Sequence, residues 1–226
     1  MNFIFQAIID FIFPPICPIC KDISDERGEI CEDCAEKILK PGEYKNPPVP
    51  IDKVFRLTKY RGGTRDMLRR IKFTNDLNSL PAFKSISARA AKIEDVQKFL
   101  SGTDFAVYVP LNEKRLNERG YNQTELIFED FLKSEKIPVE NILIRTKDTK
   151  PLYNLNPDER KSTVSGAFSA VEGIDLTGKK ILIADDIFTT GATTSECAKV
   201  LKNLGAEKIF VLAFASDFGE LENEID

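Results

Sequence analysis

Short apolar runs that alternate with amphipathic stretches dominate the second half of the chain. Residues 181–184 form a continuous apolar run, and within residues 208–214 a second run follows Lys208. Such runs are typical of strands buried on both faces of a parallel sheet. The segment between them carries apolar side chains at helical spacing: Cys197, Ala198, Leu201 and Leu204. Because Gly205 follows and favours a helix end, the pattern predicts a strand, a helix and a second parallel strand.

The same patterning places further elements upstream. Strands are predicted at residues 53–60, 104–110, 141–145 and 167–171, and helices at residues 64–73, 81–100 and after residue 123. Thr64 is a candidate N-cap for the first of these helices. Residues 111–123 are expected to form a loop. Residues 146–166 are long, polar and basic, with Lys147, Lys150, Arg160 and Lys161. We interpret them as a functional lid, the alternative being an ordinary surface loop.

The N-terminus is apolar and amphipathic. Its apolar positions fall at helical spacing: Phe3, Ile4, Ala7, Ile8, Phe11 and Ile12. We favour a short helix docked on its own protein over a membrane anchor, because no basic polar face accompanies the stripe. The segment lacks the basic start and cleavage site of a signal peptide, and no run approaches the ~18–20 apolar residues of a membrane span. A cytoplasmic protein is expected.

Composition narrows the chemistry. The chain has 226 residues, enough for one good core with a small appendage, and a net charge of −4, so there is no global basic footprint for nucleic acid. Positive charge does gather locally, at Arg61, Arg65, Arg69, Arg70 and Lys72. This cluster is either a polyphosphate or nucleic-acid surface or a solvated helix face. Histidine is absent, which removes imidazole from every mechanism.

Four cysteines form two CxxC pairs separated by ten residues: Cys17, Cys20, Cys31 and Cys34. This spacing is typical of tetrahedral thiolate coordination of Zn²⁺. The intervening segment is polar and cannot build a core, so we expect it to fold when metal binds, with the zinc in a structural role. Disulfides and an iron–sulfur cluster are the alternatives. The fifth cysteine, Cys197, lies on an apolar helix face and is expected in the core.

A linker separates this cysteine module from the rest of the chain. Pro41 and Gly42 precede residues 46–50, which are rich in proline. We place the boundary here, with residues 1–47 as the N-terminal helix and zinc module and residues 48–226 as the main domain.

A pair of carboxylates and a hydroxyl-rich turn follow the apolar run at residues 181–184. Asp185 and Asp186 are expected to close the strand, where they repel one another and need hydrogen bonds, a metal or a polyol ligand. The turn that follows opens a helix and comprises Thr189, Thr190, Gly191, Ala192, Thr193 and Thr194. Unpaired N–H groups at a helix start suit a phosphate. The acids would then take ribose hydroxyls. The alternative is a simple turn with an N-cap.

A second candidate anion site follows the strand predicted at residues 104–110. The loop carries Arg115, Arg119 and Gly120, together with the amides of Asn122 and Gln123. Guanidinium and amide donors suit an oxyanion such as pyrophosphate. Because ligands gather at the carboxyl ends of parallel strands, we expect this loop to lie near the acid pair.

Two resemblances follow from these motifs. ADDIFTTGATT resembles the phosphoribosyl pyrophosphate (PRPP) signature of type I phosphoribosyltransferases, with Ala184 and Phe188 departing from the usual residues. VPLNEKRLNERGYNQTEL, then RTKDT with NLNPDERKSTVSGAF, then the PRPP motif, behind a CxxC pair, are together similar to the ComF competence-protein family. Leu152 and Thr163 stand where that family commonly has Gln and Asn.

The resemblance implies a fold, a ligand and three functions. The fold is the α/β type I phosphoribosyltransferase fold, a mainly parallel sheet flanked by helices, with a small N-terminal four-cysteine zinc module. Asp185 and Asp186 would contact ribose hydroxyls, the turn at residues 189–194 the 5′-phosphate, and Arg115 and Arg119 the pyrophosphate, with Asp185, Asp186 and Arg119 carrying catalysis and Mg²⁺ bridging ligand oxygens. The protein would be a phosphoribosyltransferase with an unknown acceptor, a non-catalytic PRPP-binding regulator, or an adaptor that meets single-stranded DNA or a partner protein in DNA uptake.

Overall fold

The structure is a computed structural model that describes residues 9–148 and 156–217. Its helices are α1 (Glu32–Ile38), α2 (Gly62–Phe73), α3 (Leu80–Ala90), α4 (Glu94–Leu100), α5 (Glu113–Arg119), α6 (Gln123–Ser134), α7 (Pro157–Val164) and α8 (Ala192–Asn203). Its strands are β1 (Leu39–Glu43), β2 (Lys53–Lys59), β3 (Phe105–Tyr108), β4 (Leu143–Arg145), β5 (Phe168–Ala170), β6 (Lys180–Phe188) and β7 (Lys208–Ser216). A 3₁₀ helix at Leu77–Ser79 precedes α3.

Five strands form one mainly parallel sheet. Their order is β1-β2-β7-β6-β3, in which β1 runs antiparallel to β2 and the other neighbours are parallel. β4 and β5 form a separate antiparallel pair. The parallel strands at the centre are nearly continuous apolar runs, as burial on both faces requires. This architecture confirms the α/β fold class expected from the sequence, behind an N-terminal module that holds four cysteines.

Two apolar clusters cover opposite faces of the sheet, and β6 contributes to both. Leu182 and Ala184 join the cluster that includes α2, α3 and α6, whereas Ile181 and Ile183 join the cluster that includes α8. The division follows from the strand geometry, since successive side chains point to opposite faces. The alternation puts Asp185 on the face of α8, near Cys197, and Asp186 on the face of α2 and α6, where Lys72 and Gln123 contact it.

Several predicted boundaries were wrong. β6 runs to Phe188, so the acid pair lies inside the strand rather than closing it. Thr64 is not an N-cap: Arg61 is the N-cap, and Thr64 lies buried within α2. The single helix predicted over residues 81–100 is two helices, α3 and α4, because residues 91–93 turn between them.

Two predicted loops contain helices. Residues 113–119 form α5, which starts where the Asn112 Oδ1 atom accepts a hydrogen bond from the Arg115 N–H at 2.8 Å. α5 has no buried residue, so it lacks the apolar periodicity that would predict it. Within the expected lid, α7 begins at a capping box of Asn156 and Glu159. Lys150 and Leu152 lie outside the described residues.

The N-terminal module packs against the main sheet. Cys17, Cys34 and Ala35 belong to the same apolar cluster as Leu182, and β1 pairs with β2. The boundary at residue 47 stays a prediction. Of the N-terminal apolar stripe, Phe3, Ile4, Ala7 and Ile8 lie outside the described residues. Residues 9–12 are helical, and within them Phe11 and Ile12 are 90% and 60% exposed, respectively. No helix within residues 9–148 and 156–217 is long and apolar enough to cross a membrane.

Candidate functional site

The loop between β6 and α8 forms a pocket at the carboxyl end of the sheet. Gly191 is the N-cap of α8 and adopts φ 72°, in the left-handed region. A Cβ atom there would lie 2.7 Å from Pro48 Cγ and 2.8 Å from Phe188 Cζ. Both the backbone angle and the close packing therefore require glycine. The tight turn places the first residues of α8 at the pocket.

The pocket has a volume of about 250 Å³, including the solvent at its mouth. Its lining comprises Arg160, Asp185 and residues 187–194. Thr190 Oγ1 is buried and has no hydrogen-bond partner among the described residues. Thr194 is also buried, but its hydroxyl donates to the Gly191 carbonyl at 3.1 Å. Thr190 thus offers a free hydroxyl to a ligand, whereas Thr194 closes the turn.

Helix α7 contributes one basic side chain to this pocket. The Arg160 Nη1 atom donates to Thr189 Oγ1 at 3.0 Å. α7 comes from the stretch that the sequence predicts as a lid, and this contact places its basic residue beside the threonine turn. A guanidinium at a helix N-terminus adds to the positive potential that favours an anion.

The two adjacent carboxylates have different surroundings. Asp185 lines the pocket, whereas Asp186 is only 3% exposed. The Asp186 carboxylate accepts from Lys72 Nζ at 2.7 Å and from the Gln123 side-chain amide. The Asp186 backbone N–H donates to Asp185 Oδ1 at 2.9 Å. Burial, followed by the neighbouring Asp186 carboxylate, raises the pKa of Asp185 to about 8. The apo pair therefore holds a proton more tightly than two isolated aspartates would.

Arg119 occupies the wall between α2 and α6. Its Nη2 atom donates to the Lys72 carbonyl at 2.7 Å, and its Nη1 atom donates to Gln123 Oε1. Beside it, the Tyr121 hydroxyl donates to the Ile71 carbonyl at 2.8 Å. Both side chains therefore cap the last carbonyls of α2. Arg119, which the sequence predicts to face a pyrophosphate, lies close to Asp186. Its Nη1 and Nη2 atoms donate to acceptors within the protein.

A second group of positive charges approaches Asp185 from the other side of the sheet. Arg145, on β4, lies over the Phe168 ring at 5.3 Å from the centroid. Burial lowers the pKa of Arg145, and the nearby Arg115 guanidinium lowers it further. The Asp148 and Asp185 carboxylates act in the opposite direction. Arg145 thus lies within electrostatic reach of Asp185 and of Arg115. That Arg115 faces a pyrophosphate stays a prediction.

Sequence reasoning missed Lys72 and Arg145 as site residues. Lys72 was expected only as part of a basic cluster, and Arg145 as the last residue of a strand. Their approach to the acid pair depends on how α2 and β4 pack, for which neither local spacing nor a motif gives a signal. The amide of Gln123, named with the anion loop, reaches Asp186 instead.

The four cysteines of the N-terminal module converge. The sulfur atoms of Cys17, Cys20, Cys31 and Cys34 all lie within 4.8 Å of one another. Those of Cys20 and Cys31 are 3.6 Å apart, close to the ~3.8 Å that tetrahedral zinc with Zn–S bonds of ~2.3 Å implies. The thiols are free rather than disulfide-bonded. This donor set fits the predicted structural zinc, because four sulfur ligands fill a tetrahedron.

Burial raises the pKa of two thiols, Cys34 in the module and Cys197 in the main domain. Burial, followed by the Cys20 and Cys31 sulfur atoms, raises the pKa of Cys34 far above the ordinary value of a thiol. Packing four thiolates together therefore needs a cation. Cys197, on α8, is fully buried in the apolar cluster to which that helix contributes, which confirms its predicted place in the core.

Comparison with known proteins adds three findings. Residues 8–44 match the double zinc ribbon domain family. The chain is 30% identical over 203 residues to Competence protein F of Haemophilus influenzae, covering 88% of this chain and 84% of that protein. It is 27% identical over 198 residues to Competence protein ComFC of Bacillus subtilis, covering 84% of this chain and 72% of that protein.

Among solved structures, a hypoxanthine phosphoribosyltransferase from Staphylococcus aureus is 14% identical, with a TM-score of 0.35. The alignment covers 59% of this chain and 60% of that chain.

Proposed function

The chain belongs to the competence protein F (ComF) family, and from this premise we propose that it binds PRPP with Mg²⁺ and transfers the phosphoribosyl group to an acceptor during DNA uptake. One observation carries the proposal: Asp185 and the unpartnered Thr190 hydroxyl line the same pocket as the start of α8. Such a pocket can hold a sugar phosphate at both ends, with the acid on the ribose and the helix start on the 5′-phosphate.

The proposed roles follow from where each group lies. The turn at residues 189–194 binds the 5′-phosphate through N–H groups and the Thr190 hydroxyl. Asp185 accepts from the ribose hydroxyls, supported by Asp186. Arg115 faces the pyrophosphate from the β4 side, and Arg119, at the end of α5, supports the acid pair through Gln123. Mg²⁺, held largely by the oxygens of PRPP, would neutralise charge on the leaving pyrophosphate.

The proposed transfer needs no protein nucleophile. Departure of pyrophosphate leaves an oxocarbenium-like C1′, so catalysis rests on stabilising the leaving group and on excluding water. The absence of histidine from the chain is compatible with this route. The protein's contribution is then to bind the donor, orient C1′ toward the acceptor and hold positive charge at the pyrophosphate.

Isothermal titration calorimetry tests the binding. We expect wild-type protein to bind PRPP when Mg²⁺ is present and to lose at least about tenfold in affinity in Asp185→Asn, since charge-assisted hydrogen bonds are worth ~1.5–3 kcal/mol. Lys84→Met is a matched control, because Lys84 pairs with Asp130 at the surface, away from the pocket. Wild-type protein that fails to bind PRPP would contradict the proposal.

A non-catalytic PRPP-binding regulator is the second candidate function. It is favoured by Arg119, whose donors already serve the Lys72 carbonyl and Gln123. Incubation with PRPP, Mg²⁺ and a panel of base and amine acceptors separates the two functions. Pyrophosphate release with any acceptor supports the transferase, and binding without release supports the regulator.

A DNA-binding adaptor is the third candidate, favoured by the basic residues of α2. Arg65 and Arg69 are exposed on that helix. Retention of single-stranded DNA should be present at low salt and should fall steeply as salt rises, because phosphate contacts release counterions. Absence of retention at low salt would remove this candidate.

A further inference from the structure

We propose that Lys72 is a positioning residue of the phosphoribosyl site, which holds the Asp186 carboxylate in place so that Asp185 can receive the ribose. Lys72 lies on α2, outside the acid motif, the threonine turn and the loop predicted to bind pyrophosphate. The inference rests on the proposed function.

The contact itself is short and sheltered. Lys72 Nζ lies 2.7 Å from Asp186 Oδ1, and the two side chains are 21% and 4% exposed. The Lys84–Asp130 pair on the surface has a similar length, but its side chains are 38% and 59% exposed. Exposed pairs contribute little, whereas removing one partner of a sheltered pair leaves a charge without compensation. Lys72 is thus the cation paired with the sheltered Asp186 carboxylate.

The fold holds Lys72 from two directions. At its own end of α2, Arg119 donates to the Lys72 carbonyl and Tyr121 to the Ile71 carbonyl. Further back on the helix, Arg70 Nη2 donates to the Pro18 carbonyl at 3.2 Å. Pro18 lies between Cys17 and Cys20, so the first CxxC turn is one of the supports of α2. A flexible lysine so constrained is suited to setting the position of another group.

The first turn of α2 also packs on the cysteine module. A Cβ atom on Gly63 would lie 2.6 Å from Ile19 Cγ2, so the Ile19 side chain packs directly against the backbone of α2. Ile19 stands in the same CxxC turn as Pro18. The helix therefore spans from the metal module at one end to the acid pair at the other.

Charge explains why the acid pair needs this lysine. Two neighbouring carboxylates oppose each other's ionisation, and burial adds to the effect. The Lys72 charge acts against both and keeps the pKa of Asp185 lower than it would otherwise be. Removing Lys72 would raise the pKa of Asp185 further and would leave the sheltered Asp186 carboxylate without its cation, so the acceptor that a ribose hydroxyl needs would be weakened.

Calorimetry with PRPP and Mg²⁺ tests the proposal on full-length protein. We expect Lys72→Met to weaken binding by about tenfold or more, and Lys72→Arg to stay within about threefold of wild type, because Arg keeps the charge on Asp186. Lys84→Met should change the affinity less than about twofold. Recovery with Arg but not with Met distinguishes a positioning charge from loss of packing.

A double variant covers the case in which Lys72→Met fails to fold. Lys72→Met/Asp186→Asn removes both charges and leaves neither unpaired, so it should fold and bind PRPP no more weakly than Asp186→Asn alone. Two results would overturn this inference and leave the proposed function intact. One is wild-type affinity in Lys72→Met, and the other is a further tenfold loss in the double variant relative to Asp186→Asn. Wild-type protein without PRPP binding would overturn the proposed function, and the inference with it.

Discussion

The cysteine module and the pocket at the carboxyl end of the sheet are built in opposite ways. The four sulfur atoms come from residues 17–34, within one short segment. The groups around the acid pair come from α2, α5, α6, β4, β6 and α7, and Lys72 is 114 residues from Asp186. A site built from adjacent residues depends on local chain geometry and on its metal. A site built from distant residues depends on the packing of the whole domain, and small shifts in any element change it.

Helix α2 contacts both the cysteine module and the acid pair. It packs its first turn on Ile19 and places Lys72 on Asp186. The comparison therefore raises a question that experiments can answer: whether the module only stabilises the protein or also sets the geometry of the pocket.

The largest effect is expected from loss of the metal. Cys31→Ser/Cys34→Ser should remove bound zinc and lower the free energy of unfolding by at least about 3 kcal/mol, since structural zinc supplies folding energy. Zinc content by mass spectrometry and thermal unfolding by circular dichroism measure this. Cys197→Ala is the matched control, because it removes a buried thiol elsewhere and should keep the zinc.

The PRPP affinity of Cys31→Ser/Cys34→Ser tests whether the cysteine module also affects the pocket. If loss of zinc shifts α2, PRPP binding should weaken along with stability. Unchanged affinity in folded, zinc-free protein would show that the pocket stands without the module.

A smaller loss is expected from Gly191→Ala, which acts on the pocket alone. The new Cβ would meet Pro48 and Phe188 in a residue with φ 72°, at a combined cost of about 2–3 kcal/mol. PRPP affinity should fall while zinc content stays unchanged. Gly178→Ala separates the causes, since φ there is 74° and no atom lies within 4 Å. It should cost only about 1 kcal/mol. Equal losses in the two variants would contradict the role of close packing.

The smallest expected effect is a change in the free energy of unfolding, which has opposite signs for substitutions of Asp185 and Asp186. The pKa of Asp185 rises from 3.8 to about 8 in the native chain. The native state therefore binds this proton more tightly than the unfolded state does, and the stability it contributes is present below about pH 4 and is lost as the pH rises toward 8. Asp185→Asn should remove that loss and stabilise the apo protein by about 1–2 kcal/mol at pH 8, allowing for partial exposure.

Asp186→Asn provides the contrast, because it leaves the sheltered Lys72 ammonium without its carboxylate. It should destabilise the apo protein at pH 8. Thermal unfolding at pH 4, 6 and 8 measures both variants. A destabilising Asp185→Asn at pH 8 would show that the acid is ionised at little cost in the native state.

The difference between the two regions also explains what sequence alone could predict. The spacing of Cys17, Cys20, Cys31 and Cys34 gives the ligand set because the ligands are neighbours in the chain. The strand, acid pair, turn and helix at residues 180–203 are likewise local, and only the end of β6 was misplaced. Helix α5 escaped prediction because none of its residues is buried. Lys72 escaped because its partner is distant, so that only tertiary packing reveals it.

The outermost strand of the sheet has a consequence for solubility. β1 carries Pro41, which has no N–H to offer, and its pairing with β2 is irregular between Leu39 and Gly42. At the opposite margin, residues 138–140 exchange hydrogen bonds with Ala106 of β3, at 2.8 and 2.9 Å. Both edges of the sheet are thus poor templates for strand addition by another copy. The chain can keep a long, highly apolar parallel sheet while resisting aggregation through its edge strands.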